Sequence, residues 1–115
     1  MENLGLMIYD NDTVVVSSKM VAEKFGKEHK NVLRDIENLM NEIRRLNFEQ
    51  SSEGGQLNFE HTQMFYKTTY TNEQNKQRYP MYLMNRDGFS LLVMGFTGRE
   101  ALQWKIKYIE AFNAM

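Results

Sequence analysis

Five side chains between Lys27 and Asn38 have the chemistry to hold and read a nucleic acid. An asparagine amide can pair with adenine N6 and N7, and an arginine guanidinium with guanine O6 and N7, each through two hydrogen bonds. Asn31 and Arg34 are the candidates for those roles, and such a pairing discriminates between bases by roughly 1–3 kcal/mol. Lys27 and Lys30 suit phosphate, as does Lys19 upstream. Helical spacing places Lys27, Asn31, Arg34 and Asn38 on one face, opposite Leu33, Ile36 and Met40. The plainer alternative is the solvated polar face that any amphipathic helix pair presents.

Enzyme chemistry has no comparable set. His29 and His61 are 32 positions apart with no carboxylate at ligand spacing, and read as surface or capping residues rather than metal ligands. Gly88-Phe89-Ser90-Leu91 lacks the second glycine of a nucleophile elbow. Gly95-Phe96-Thr97-Gly98 resembles a backbone-clamping loop but reads better as a helix break with Thr97 as the next cap. Phosphate-binding and dinucleotide fingerprints are missing. The lack of cysteine excludes disulfides, thiolate catalysis and cysteine-based zinc sites, and fits a reducing compartment. The expectation is a protein that is not an enzyme and needs no cofactor.

The candidate side chains need elements to position them. Leu6–Tyr9 and Thr13–Val16 read as a hairpin around Asp10-Asn11-Asp12. Ser17 and Ser18 offer N-cap hydroxyls for a helix over Lys19–Phe25, which Gly26 ends. A second helix is predicted from about His29 to Leu46, because Val32, Leu33, Ile36, Leu39, Met40, Ile43 and Leu46 form one stripe. Together these make a helix-turn-helix, with Ala22 at the crossing and Val21, Phe25 and Val32 as its small core. Asp35, three places after Val32, departs from the apolar residue many such motifs carry.

Residues 47–56 read as a surface loop. Phe65–Thr71 and Arg78–Met84 read as a second hairpin, with Pro80 pointing to an edge strand. Its cations Lys67, Lys76 and Arg78 could act as a wing on the phosphate backbone. Asn85 or Asp87 caps a short helix through Met94, and a final helix follows Thr97. That helix has two apolar stripes: Leu102, Ile106, Ile109 and Phe112, then Ala101, Trp104, Tyr108, Ala111 and Met115. Packing on the sheet accounts for them; the alternative is pairing with a second copy.

The 115 residues fit one domain of ordinary globular composition, 42% hydrophobic and 25% charged. The apolar run Leu91–Phe96 is far shorter than the roughly 17–25 residues that span a membrane. Net charge is −1, which excludes a generally basic nucleic-acid binder. The distribution is uneven, however: residues 17–34 and 64–86 each carry +3, while 35–60 carry −4. A neutral total can hide a basic face.

Three blocks resemble the phage regulatory protein Rha family: Ser17–Glu37, Arg78–Ala101 and Tyr108–Asn113. The resemblance covers nearly the whole chain, and the second block is its most specific part. It implies a phage- or prophage-encoded regulator in the bacterial cytoplasm. It also implies an N-terminal α+β domain of DNA-binding type, often followed by a separate C-terminal domain, as in phage antirepressors. It carries over no catalytic residue. Arg86 and Arg99 are read either as partners of acids or as phosphate contacts, with Gly88 and Gly98 setting turns.

The expected architecture is α+β: an N-terminal β-hairpin, a helix-turn-helix, a wing-like second hairpin and C-terminal helices, over residues 1–115 as a single domain. The expected function is non-covalent binding of double-stranded DNA to regulate transcription. The alternative is an antirepressor-type module that binds a repressor or host factor. A homodimer through the C-terminal helix is the further expected partnership, and no membrane is involved.

Overall fold

The computed structural model describes residues 3–9, 12–52 and 64–114. In chain order the elements are β1 (Met7–Tyr9), β2 (Thr13–Ser17), α1 (Ser18–Lys24), α2 (His29–Ser52), β3 (Phe65–Thr71), β4 (Arg78–Met84), α3 (Arg86–Val93) and α4 (Arg99–Ala114). The strands form an antiparallel sheet in the order β1-β2-β4-β3. The architecture is α+β, with two strands, two helices, a second strand pair and two C-terminal helices, as the sequence predicts. Asp12 takes a left-handed φ of 73° in the first turn, which an aspartate tolerates; Asp10 and Asn11 lie outside the described residues.

Local chemistry sets the helix boundaries. The Ser17 hydroxyl accepts from the Met20 N–H at 3.0 Å and caps α1. At the other end Gly26 has φ +67°, and the Lys27 N–H reaches the Ala22 carbonyl at 2.8 Å. That pairing, with Gly26 N–H to Glu23 O, is the glycine-terminated closure that satisfies the last helical carbonyls. In α3 the Asn85 side chain accepts from the Gly88 N–H at 2.9 Å, so Asn85 rather than Asp87 is the cap. Gly98, not Thr97, precedes α4: its carbonyl accepts from the Leu102 N–H.

The helix α2 corrects the expected loop at 47–56, because it continues to Ser52. The apolar stripe ends near Leu46, but that marks the end of burial and not of the helix. No glycine or proline stands between His29 and Ser52, and adding residues to a formed helix costs little. Residues 53–56 of the expected loop lie outside the described residues.

Pro80 needs a second correction. Its strand, β4, is interior, between β2 and β3. Yet β2 pairs only with Leu83 and Met84, so it stops short of Pro80. The Tyr82 N–H points to the Ser18 hydroxyl, and alternation aims position 80 the same way, away from β3. The proline therefore removes no ladder hydrogen bond.

The core gathers Val16, Val21, Val32, Ile36, Met84, Phe89 and Tyr108, all at 0% exposure. Only part of α4 enters it. Tyr108 and Phe112 pack on Phe89, with ring centroids 4.9 and 5.7 Å away, and Tyr108 stacks on Phe25 at 6.2 Å. The helix thus rests on the Phe25 and Phe89 rings within a core that includes Val16 and Met84 of the sheet, and Phe112 belongs with Tyr108. Leu102, Ile106 and Ile109 stay 57%, 48% and 44% exposed. Gly88 is not a turn residue. It lies inside α3, where a Cβ would meet the Met64 carbonyl oxygen at 2.6 Å.

Candidate nucleic-acid interface

The N-terminal ends of α1 and α2 meet the second hairpin through one buried hydroxyl. Ser18 Oγ accepts from the Tyr82 N–H at 3.0 Å and lies 2.8 Å from His29 Nε2. Burial, and the positive charge of Lys19, hold the His29 pKa below 6.5. The direction of the Ser18–His29 hydrogen bond follows the imidazole tautomer, since only the bare ring nitrogen accepts.

Aromatic contacts extend this junction. The His29 and Tyr70 rings are 5.8 Å apart, and Tyr70 and Tyr79 are also 5.8 Å apart. The Lys19 ammonium stands 4.3 Å from the Tyr70 ring centre, a cation–π distance. Towards the hairpin turn, the Tyr79 hydroxyl accepts from Asn75 at 2.8 Å and donates to Gln77 at 3.3 Å. Lys76 sits in that turn with φ +62°.

The strand register separates the hairpin's side chains. Lys67 opposes Tyr82 and Arg78 opposes Thr71, so alternation puts Lys67, Arg78 and Tyr82 on one face. Tyr70 and Tyr79 fall on the other. The Lys67 face looks towards α2 across an open groove of about 680 Å³. Arg34, Asn38 and Asn41 of α2 form one wall, Lys67 the other, with Phe65 and Tyr82 beneath. Glu37, Met40 and Arg44 also line it. Burial raises the Tyr82 pKa, and the Glu37 carboxylate raises it further, against a smaller opposite effect of Arg44. The phenol stays protonated and can donate.

The nine candidate residues fall into separate settings. Arg34, Asn38 and Lys67 share the groove, and all three are exposed. Lys19 joins the tyrosine pair. Lys30 is exposed and pairs with Glu28 at 3.3 Å, a contact of small energetic value. Asn31 is half-buried in the first turn of α2. Lys76 and Arg78 are exposed at the hairpin end.

Lys27 does not share the α2 face as expected. It precedes the helix in the turn closing α1, and its ammonium lies 4.5 Å from the Phe96 ring centre. A second cation–aromatic group adjoins α4: Lys24 and Lys107 stand 5.5 and 4.6 Å from the Trp104 ring centre. Arg86 donates to Asn113 at 3.2 Å and lies 4.0 Å from Asp87.

Asn41, Arg44 and Tyr82 were not legible as lining residues. Asn41 and Arg44 continue the spacing of Arg34 and Asn38, which is a usable signal once α2 is known to be long. Tyr82 needed the register with Lys67. Among the described residues, no three histidine or acidic side chains cluster as a metal site would need. Among them, too, no helix is long and apolar enough to cross a membrane.

The family described as phage regulatory protein Rha matches residues 16–115. The chain belongs to the phage regulatory protein Rha family. This Rha-family chain is 36% identical over 110 residues to an uncharacterised Haemophilus influenzae protein, covering 96% of the chain and 56% of that protein. It is 34% identical over 104 residues to an uncharacterised 22.8 kDa protein of Salmonella phage P22, encoded in the gp15–gp3 intergenic region. That match covers 88% of the Rha-family chain and 44% of the phage protein. The chain spans about half the length of these curated relatives. No solved structure matches it.

Proposed function

We propose that this Rha-family chain binds double-stranded DNA non-covalently and thereby regulates phage transcription in the bacterial cytoplasm. The observation that carries the reading is the convergence of Arg34 and Asn38 of α2 with Lys67 of β3 on one open groove. In this reading α1 and α2 act as a helix-turn-helix. The N-terminal half of α2 meets base edges, and the hairpin follows the phosphates with Lys67, Lys76 and Arg78. The C-terminal half is less suited, since Arg45 pairs with Glu42 and Arg44 with Asn41. Lys19 and Lys30 add positive field beside Asn31.

A gel shift with random duplex across a salt series tests this. Binding that weakens steeply with salt is the expected result. No salt-dependent shift refutes it.

A second reading is supported by the exposed stripe Leu102, Ile106 and Ile109 on α4. That surface would bind protein: a second copy of the chain, or a repressor or host factor in an antirepressor role. Sedimentation of the isolated chain, with and without a Lys-for-Ile106 change, distinguishes self-pairing from a surface reserved for another protein.

A further inference from the structure

The outward side of α4 carries a seam with the spacing of a coiled coil. Leu102, Ile106 and Ile109 follow one another at steps of four and three, and Arg99 and Asn113 continue those steps at the two ends. Leu102 and Ile109 thus take the d positions of a heptad, and Arg99, Ile106 and Asn113 the a positions. All five side chains are exposed. Tyr108 and Phe112 hold the helix from another side, on Phe25 and Phe89. The helix is therefore already ordered, and pairing need not offset the cost of forming it. Lys105 and Glu110 border the seam on opposite flanks, at the g and e positions. Among the described residues, neither has an ion-pair partner.

We propose that this seam pairs with the same seam of a second copy, as a short parallel two-stranded coiled coil. The proposal rests on the reading of α4 as a protein-binding surface and names its partner. Charge selects the partner and its direction. In a parallel pair the g position of one helix faces the e position five places on in the other, so Lys105 meets the second copy's Glu110, twice by symmetry. An unrelated apolar helix would leave both charges unanswered. Isoleucine at a beside leucine at d favours two parallel strands, and a polar side chain at a, here Asn113, fixes their register. The body of the domain lies on the Lys105 flank, where Phe112 packs. A two-fold axis along the helices sends the two bodies to opposite sides of the seam, whereas an antiparallel pair would crowd them onto one side. Arg99 stands at the open end of the pair, where its long side chain can turn to solvent.

Sedimentation equilibrium of the full chain over a concentration series tests it. The seam is small, so a dimer populated at roughly 10–100 μM is expected. Ile106→Lys should abolish it, and the exposed position should leave the fold intact. Lys105→Glu and Glu110→Lys should each weaken the dimer about fivefold, and the double variant should restore it. Damage to the fold would produce no such rescue. The sequence contains no cysteine, so an introduced one reports alone. Leu102→Cys and Ile109→Cys, each by itself, should give a disulfide-linked dimer on oxidation, because a parallel pair sets each position against its own copy. An antiparallel pair can do this at one of the two at most, since they stand about 10 Å apart along the helix. A double variant no better than the single ones, or a disulfide at one position only, overturns the proposal; if Ile106→Lys still dissociates the dimer, α4 remains a protein-binding surface. A chain that stays monomeric also overturns the proposal and assigns the stripe to a different protein. A dimer indifferent to Ile106→Lys overturns both the proposal and the reading it rests on.

Discussion

Ser18 and His29 are joined at 2.8 Å, and the same Ser18 oxygen takes the Tyr82 N–H at 3.0 Å. One fully buried hydroxyl therefore fastens α1 to α2 and to β4. Ser18→Ala leaves the Tyr82 N–H and the imidazole without their partner. A loss of about 1–3 kcal/mol is expected for such a buried unsatisfied group. Urea unfolding measures it, and a change within about 0.5 kcal/mol would assign the contact no structural weight.

The same contact predicts a pH dependence. The folded pKa of His29 lies below its ordinary value of 6.5. The unfolded chain then binds the proton more readily than the folded one. The stability contributed by neutral His29 is complete above about pH 6.5 and is lost as pH falls towards the lower folded value. The urea midpoint should fall across this window, and His29→Gln should flatten the fall. Equal slopes for both proteins refute the assignment.

Gly88 and Gly95 make a matched pair. At Gly88 an added Cβ meets the Met64 carbonyl oxygen at 2.6 Å, whereas at Gly95 the nearest atom is 3.9 Å away. Gly88→Ala should destabilise by about 1–3 kcal/mol, the usual cost of forcing atoms into a packed site. Gly95→Ala should lie within about 0.5 kcal/mol of the original. Thermal unfolding of the two variants decides, and equal melting temperatures would contradict the close approach of α3 to residue 64.

The cation settings rank the DNA contacts. Removing a phosphate-contacting lysine should lower the salt slope of binding by about 1. Lys67→Ala, on the groove, should show that decrement. Lys27→Ala should show less, because its ammonium is directed over Phe96. The reverse order would move the interface to the α3–α4 side.

Much of the framework was readable in the residues. The Tyr- and Thr-rich run Phe65–Thr71 marks β3, and the Ser17 cap with Gly26 bounds α1. The end of α2 was hidden because loss of the apolar stripe looks like loss of the helix, yet residues 47–52 contain no breaker. Lys27 has the spacing of the α2 face but lies before His29, where the chain is still turning, and spacing alone does not show that turn. The groove itself depends on the pairing of Lys67 with Tyr82, a long-range register that no local pattern encodes. The edge reading of Pro80 failed because strand order and the short reach of β2 are tertiary facts.

The Tyr108 hydroxyl donates to the Leu4 carbonyl at 2.8 Å, linking residues 104 positions apart. During synthesis the first strand pair emerges long before the segment that fastens it. The N-terminal stretch must therefore wait for this anchor until residue 108 has emerged, so its final closure comes late in folding.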